Sequence, residues 1–143
     1  MNIRIEGINE LVNKLNKLVD GADSGLQKGL LEGGELVRSD AVMNVPVDSG
    51  ELRESIVVEL LDKTAVAITA TAEHGIYVEF GTGSKGDSSV SHTTKKGWVY
   101  FNENTNSFVY TTGQAPQPFL VPALFNQKDA VIQAIKNGIL GAI

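Results

Sequence analysis

The sequence predicts an α+β fold, a small antiparallel sheet of two hairpins packed against two N-terminal helices and one long C-terminal helix. Two observations predict it. Apolar residues recur at three-and-four spacing toward both ends of the chain, which is the period of a helix with one buried face. In the middle the period changes, and two pairs of strand-like runs appear, each joined by a short polar link.

The elements follow in order. Over residues 8–19, Ile8, Leu11, Val12, Leu15, Leu18 and Val19 share one face, Asn13, Lys14, Asn16 and Lys17 fill the other, and Gly21 ends the helix. A second helix spans about 23–44, with Leu26, Leu30, Val37 and Ala41 as its stripe. Gly29, Gly33 and Gly34 sit inside it, and each costs about 1 kcal/mol relative to alanine. Either another backbone approaches closely there, or the helix is weak. Pro46 stops it. Asp48 and Glu51 have capping-box spacing, so a short helical turn is expected over 49–54, with an Asp48–Arg53 salt bridge across it. Residues 56–61 and 64–71 read as strands joined at Asp62 and Lys63. Residues 73–82 are too short to settle by period, although Ile76, Tyr77 and Phe80 would share a helical face. Residues 83–97 are rich in Ser, Thr, Gly and Lys with no apolar period, which predicts a flexible loop. Residues 98–101 and 108–111 form the second hairpin. Residues 114–118 are extended, because residues before proline avoid the helical region. The last helix covers about 119–140, with Pro122 tolerated in its first turn. No repeat or second domain is visible, so residues 1–143 read as a single domain.

Composition narrows the function classes. The chain has 143 residues, 42% hydrophobic and 20% charged, with a net charge of −5 and no cysteine. Disulfides, thiolate metal sites and a cysteine nucleophile are excluded. An acidic chain lacks the Lys/Arg surplus that phosphate binding needs, so no specific nucleic-acid binding is expected. No apolar run approaches the ~20 residues of a membrane span. The N-terminal residues carry no signal-peptide pattern, so synthesis in the cytoplasm is expected.

The chemistry-bearing motifs are weak. Gly81, Gly83 and Gly86 match G-x-G-x-x-G, but no helix pattern follows and no second parallel strand is in reach, as a dinucleotide fold would require. Asp87 stands where a phosphate-binding loop would place its lysine, and would repel the anion. His74, Glu79 and His92 could be drawn into a metal-dependent hydrolase site, but no pair has HExxH spacing. A solvated His74 beside Glu73 and an exposed His92 are the simpler reading. No catalytic, cofactor or metal residue is therefore assigned.

The aromatics are more informative. Trp98, Tyr100, Phe101, Phe108, Tyr110, Phe119 and Phe125 crowd a stretch whose only charge between Lys96 and Lys128 is Glu103. Strand alternation sends hairpin side chains to both faces. Trp98, Tyr100, Phe101, Phe108 and Tyr110 are therefore either core alone or core plus a charge-poor interface.

Three segments in order, residues 45–56 (VPVDSGELRESI), 77–82 (YVEFGT) and 114–124 (QAPQPFLVPAL), resemble the phage head–tail joining or tail-completion family. That family of tail components is typified by the tenth gene product of a lambdoid long-tailed coliphage. Pro46, Asp48, Gly50, Leu52 and Arg53 match its first segment, with Ser49 in place of an expected threonine. Tyr77, Glu79, Phe80, Gly81 and Thr82 match the second, although the approach through Ile76 departs from the pattern. Pro118, Phe119, Leu120, Pro122 and Ala123 match the third. The resemblance implies a structural virion protein of a phage or prophage that acts at the neck as an oligomeric ring subunit. Its partners would be the connector or adaptor, the tail terminator and the tail tube, and it would use no cofactor. The motif positions then serve fold and assembly. A ring needs two different faces, for which the second hairpin with the 83–97 loop and the glycine-bearing helix are the candidates. A metal-dependent hydrolase and a prophage-encoded module that binds a host protein are the alternatives.

Overall fold

The computed structural model describes residues 3–46 and 50–143. The order is α1 (Ile8–Asn44), α2 (Gly50–Glu54), β1 (Ile56–Asp62), β2 (Ala65–Ala70), α3 (Gly75–Phe80), a 3-10 turn (Gly83–Lys85), β3 (Trp98–Asn102), β4 (Ser107–Thr111) and α4 (Leu120–Ala142). The strands form two separate two-stranded antiparallel sheets, β1–β2 and β3–β4. The α+β class is therefore as read from the sequence. The two N-terminal helices, however, are one continuous helix. Asp48, with its cap and its bridge to Arg53, lies outside the described residues.

The chain divides into two compact units. The first contains residues 1–37, 58–68 and 127–143. Its main feature is the pairing of α1 with α4, and this explains why Gly21 does not end a helix. Gly21, Gly25, Gly29 and Gly33 recur every four residues, so they line one face of α1. A Cβ placed on Gly21 would meet the Ala142 carbonyl oxygen at 2.6 Å, and one on Gly29 would meet the Ile135 Cα at 2.6 Å. A Cβ on Gly25 would run into the Gly138 carbonyl, and one on Gly33 would sit 2.9 Å from Val131. The contacts descend α4 as they climb α1, so the helices run antiparallel, backbone against backbone. Of the two readings left open by the glycines, close approach is correct. Gly34 receives the β1–β2 hairpin instead, its Cβ position lying 2.7 Å from Val58 and 3.3 Å from Val66.

The β1–β2 turn is set by Asp62, whose Oδ1 accepts the Thr64 N–H at 2.7 Å and hydroxyl at 2.9 Å. These bonds, the backbone one first, hold the Asp62 carboxyl below the usual aspartate range. A folded value below the unfolded one stabilises the turn at pH above the unfolded value, and this is lost as pH falls through the folded value. We expect an NMR titration of Asp62 to give a midpoint below that of the unfolded chain. An equal or higher midpoint would contradict the turn geometry.

The second unit contains residues 38–57 and 69–126. Its buried apolar residues are Ala41, Val45, Leu52, Ile56, Phe119 and Ala123. Leu52 sits under α3, its Cδ1 3.0 Å from where a Gly75 Cβ would be, so glycine at 75 lets α3 lie on α2. The β3–β4 register pairs Trp98 with Thr111, Val99 with Tyr110, Tyr100 with Val109 and Phe101 with Phe108.

Candidate assembly site

Two of the three family-like segments are fastened to each other. The Tyr77 carbonyl accepts the Gln114 side-chain amide at 2.7 Å, and the Val78 carbonyl accepts the Gln117 N–H at 2.7 Å. Thr82 and Gln114 exchange two more bonds, Thr82 N–H to the Gln114 carbonyl at 2.9 Å and Gln114 N–H to the Thr82 hydroxyl at 3.1 Å. Gly81, at φ +73°, turns the chain between them. Its Cβ position would fall 2.6 Å from the Gln114 carbonyl oxygen and 2.8 Å from the Pro116 nitrogen, so a side chain there is excluded twice over.

Glu79 is the centre of this clasp. It is 4% exposed, a rare condition for a carboxylate unless it is fully paired. Its Oε2 accepts the N–H groups of Phe119 at 2.7 Å and Leu120 at 2.9 Å, and its Oε1 accepts that of Val121 at 2.9 Å. A helix leaves its first four N–H groups without internal partners. Here three of them bind Glu79, and the fourth position is Pro122, which has no N–H. The negative carboxylate also faces the positive end of the helix dipole. Glu79 was expected as a motif position, but its action as a remote cap was not foreseen. A sequence signal for it exists, since Pro118 and Phe119 supply no Ser, Thr, Asp or Asn cap, so the α4 start needs an acceptor from elsewhere.

The other motif residues fall around the clasp. Leu52 and Phe119 are fully buried. Pro46, Phe80, Thr82 and Pro122 are half-buried, while Gly50, Arg53, Tyr77 and Pro118 are exposed. The α3 face turned inward carries Gly75 and Glu79, not the Ile76–Tyr77–Phe80 set suggested by spacing.

His74, Glu79 and His92 do not come together, and among the described residues no group of three potential metal ligands exists. Glu79 is committed to α4. His92 is half-buried and not exposed as expected. Its Nδ1 lies 2.6 Å from the Val90 carbonyl oxygen and its Nε2 lies 3.0 Å from that of Gly83. The 83–97 loop carries further ties. The Asp87 N–H donates to the Phe80 carbonyl at 2.7 Å, and Lys85 reaches the Thr112 hydroxyl at 3.2 Å. Asp87 itself binds the Ser89 hydroxyl at 2.7 Å and N–H at 2.8 Å. The glycines of this stretch thus serve a hydrogen-bonded turn.

The five hairpin aromatics separate by face. Phe101 and Phe108 are register partners in edge-to-face contact, with centroids 5.3 Å apart at 70°. With Val99 and Tyr110 they form one side of the ribbon, and that side is bare, Phe108 being 76% exposed and Tyr110 66%. Trp98 and Tyr100 point to the other side and line a cleft of about 450 Å³ with Tyr77, Thr82, Thr111 and Gln114. The face of α1 bearing its glycines, named as a second contact surface, is filled by α4 of the same chain.

A family model described as "Bacteriophage HK97-gp10, putative tail-component" matches residues 9–81, just over half of the 143-residue chain. The chain belongs to this family. Comparisons with curated proteins and with solved structures return no match. The matched stretch of the tail component includes the first two motif segments and ends at Gly81, the residue that turns the chain into the clasp. The third segment lies beyond it and is tied in through Glu79. A tail component works through contacts with other virion proteins, and the family is structural. No helix among the described residues is long and apolar enough to cross a membrane.

Proposed function

We propose that this tail component acts at the phage neck, in head–tail joining or tail completion, as the repeating subunit of an oligomeric ring. The observation that carries the reading is the bare ribbon face of Val99, Phe101, Phe108 and Tyr110. Four large apolar side chains on one exposed two-stranded ribbon, with Glu103 the only nearby charge, have the composition of an interface centre. The buried motif residues supply a rigid mount, and the ribbon projects from it toward a connector, adaptor, terminator or tail-tube protein. The 83–97 loop, flexible where its ties are fewest beyond His92, borders the same contact.

Purified protein, alone and mixed with neck and tail proteins, tests this by light scattering and negative-stain imaging. Rings, or a defined complex with a neck or tail protein, are expected. A strict monomer that binds none of them counts against it. The double variant Phe108→Asp/Tyr110→Asp is expected to keep the wild-type melting temperature, because both side chains are already in water. It should lose partner binding by at least about 2 kcal/mol, the scale of an aromatic interface anchor.

A further inference from the structure

We infer that the N-terminal arm of α1 docks, on a second copy of this chain, into the groove between α1 and α4; this rests on the oligomeric reading above and names its contact. The stripe Ile8, Leu11, Leu15 and Leu18 is about half exposed at every position. Leu11, Leu18 and Gly25 are seven residues apart, as are Ile8, Leu15 and Gly29, so they share one helix face at two turns per step. Gly25 and Gly29 are where that face receives α4. The stripe is therefore the uncovered continuation of a helix-packing surface, left bare because α4 reaches only to Gly21.

The same unit offers a matching recess. A groove of about 650 Å³ runs between the two helices, with Leu31, Leu36, Ala130 and Ala134 along it and Glu32 and Glu35 on its rim. Its alanines leave room for the arm's leucines. From residue 130 to 137 of α4 and from Leu11 to Leu18 of the arm, the length is the same, about 10 Å at 1.5 Å per residue. Charge agrees as well. The stripe is bordered by Lys14 on one edge and Asn16 on the other, and the rim it would meet is acidic. Glu32 holds Lys28 only at 3.9 Å, with both side chains largely in solvent, so it can accept a second cation. Arm on one copy and groove on the next form a heterologous contact, the kind that propagates into a ring.

The test uses two variants at exposed positions, Leu11→Glu/Leu15→Glu in the arm and Leu31→Arg/Glu32→Arg in the groove. Circular dichroism should show both folded. Each alone should self-associate at least about tenfold more weakly than wild type in light scattering. A 1:1 mixture should form dimers and stop there, because only one intact arm and one intact groove remain. A mixture that stays monomeric, or a groove variant that associates like wild type, overturns the inference. So does a wild-type chain that is monomeric up to about 1 mM. The absence of native cysteine allows a second measurement. Leu15→Cys and Ala130→Cys chains, mixed and oxidised, should cross-link to each other; a Leu15→Cys chain that cross-links only to itself would mean that arms pair with arms. Unchanged incorporation of the arm variant into virions that contain the wild-type chain would sink this contact and leave the tail-component reading standing.

Discussion

Replacing Glu79 by glutamine is expected to lower the unfolding free energy by about 3 kcal/mol, although the two side chains have nearly the same shape. The carboxylate accepts three N–H groups with two oxygens at 2.7–2.9 Å. An amide has one acceptor oxygen, and its NH2 would face donors with a donor. At least one first-turn N–H of α4 is then buried without a partner, and the favourable charge at the helix start is gone. Glu79→Ala removes all three bonds and leaves a cavity, so it should be worse still. Glu79→Asp keeps the charge but is one methylene short, and should fall between wild type and glutamine. Urea unfolding of the four proteins checks the order. A glutamine variant within about 0.5 kcal/mol of wild type, the range of ordinary surface substitutions, would remove Glu79 from the role assigned to it.

Gly29→Val is the second change with a large expected effect. In an exposed helix, replacing glycine by alanine gains about 1 kcal/mol from propensity. At position 29 that gain is outweighed, because even a Cβ would lie 2.6 Å from the Ile135 Cα and 2.8 Å from the Ala134 carbonyl oxygen. These are backbone atoms and cannot rotate away, so the helices must separate over their whole contact. Overpacking costs typically about 1–3 kcal/mol, and the branched valine should reach the upper end. Gly29→Ala should also destabilise, though less. Gly141→Ala is the control, since its Cβ would meet nothing within 4 Å, and it should be neutral or slightly stabilising. Thermal unfolding of the three variants decides; equal melting temperatures for Gly29→Ala and Gly141→Ala would contradict the close α1–α4 approach.

The sequence exposed some of this and hid the rest for physical reasons. Both hairpins were legible, because alternation and polar links such as Asp62–Lys63 are local signals. The start of α4 was legible from Pro122. The continuity of α1 was not. Gly21 carries a helix-stop signal in its own sequence neighbourhood, and only the arrival of α4 more than a hundred residues later turns it into a packing position. The regular recurrence of Gly21, Gly25, Gly29 and Gly33 was the available hint. Glu79 was picked out by resemblance, but its partners lie 40 to 42 residues away, beyond any periodicity. The aromatic concentration predicted a special surface, but which rings would face water depends on what covers each side of the β3–β4 ribbon. Alternation assigns faces without saying which is covered.

The central claim, that this chain is an assembly subunit whose bare ribbon face joins it to neighbouring virion proteins, is tested most directly in the particle. Mass spectrometry of purified virions, with electron microscopy of the same preparations, should be done for phage carrying the wild-type chain and for phage carrying Phe108→Asp/Tyr110→Asp. The account predicts the wild-type chain in tailed particles. For the variant it predicts a folded protein left in the lysate, with heads and tails unjoined or incomplete. Normal tailed particles containing the variant at the wild-type level would contradict it.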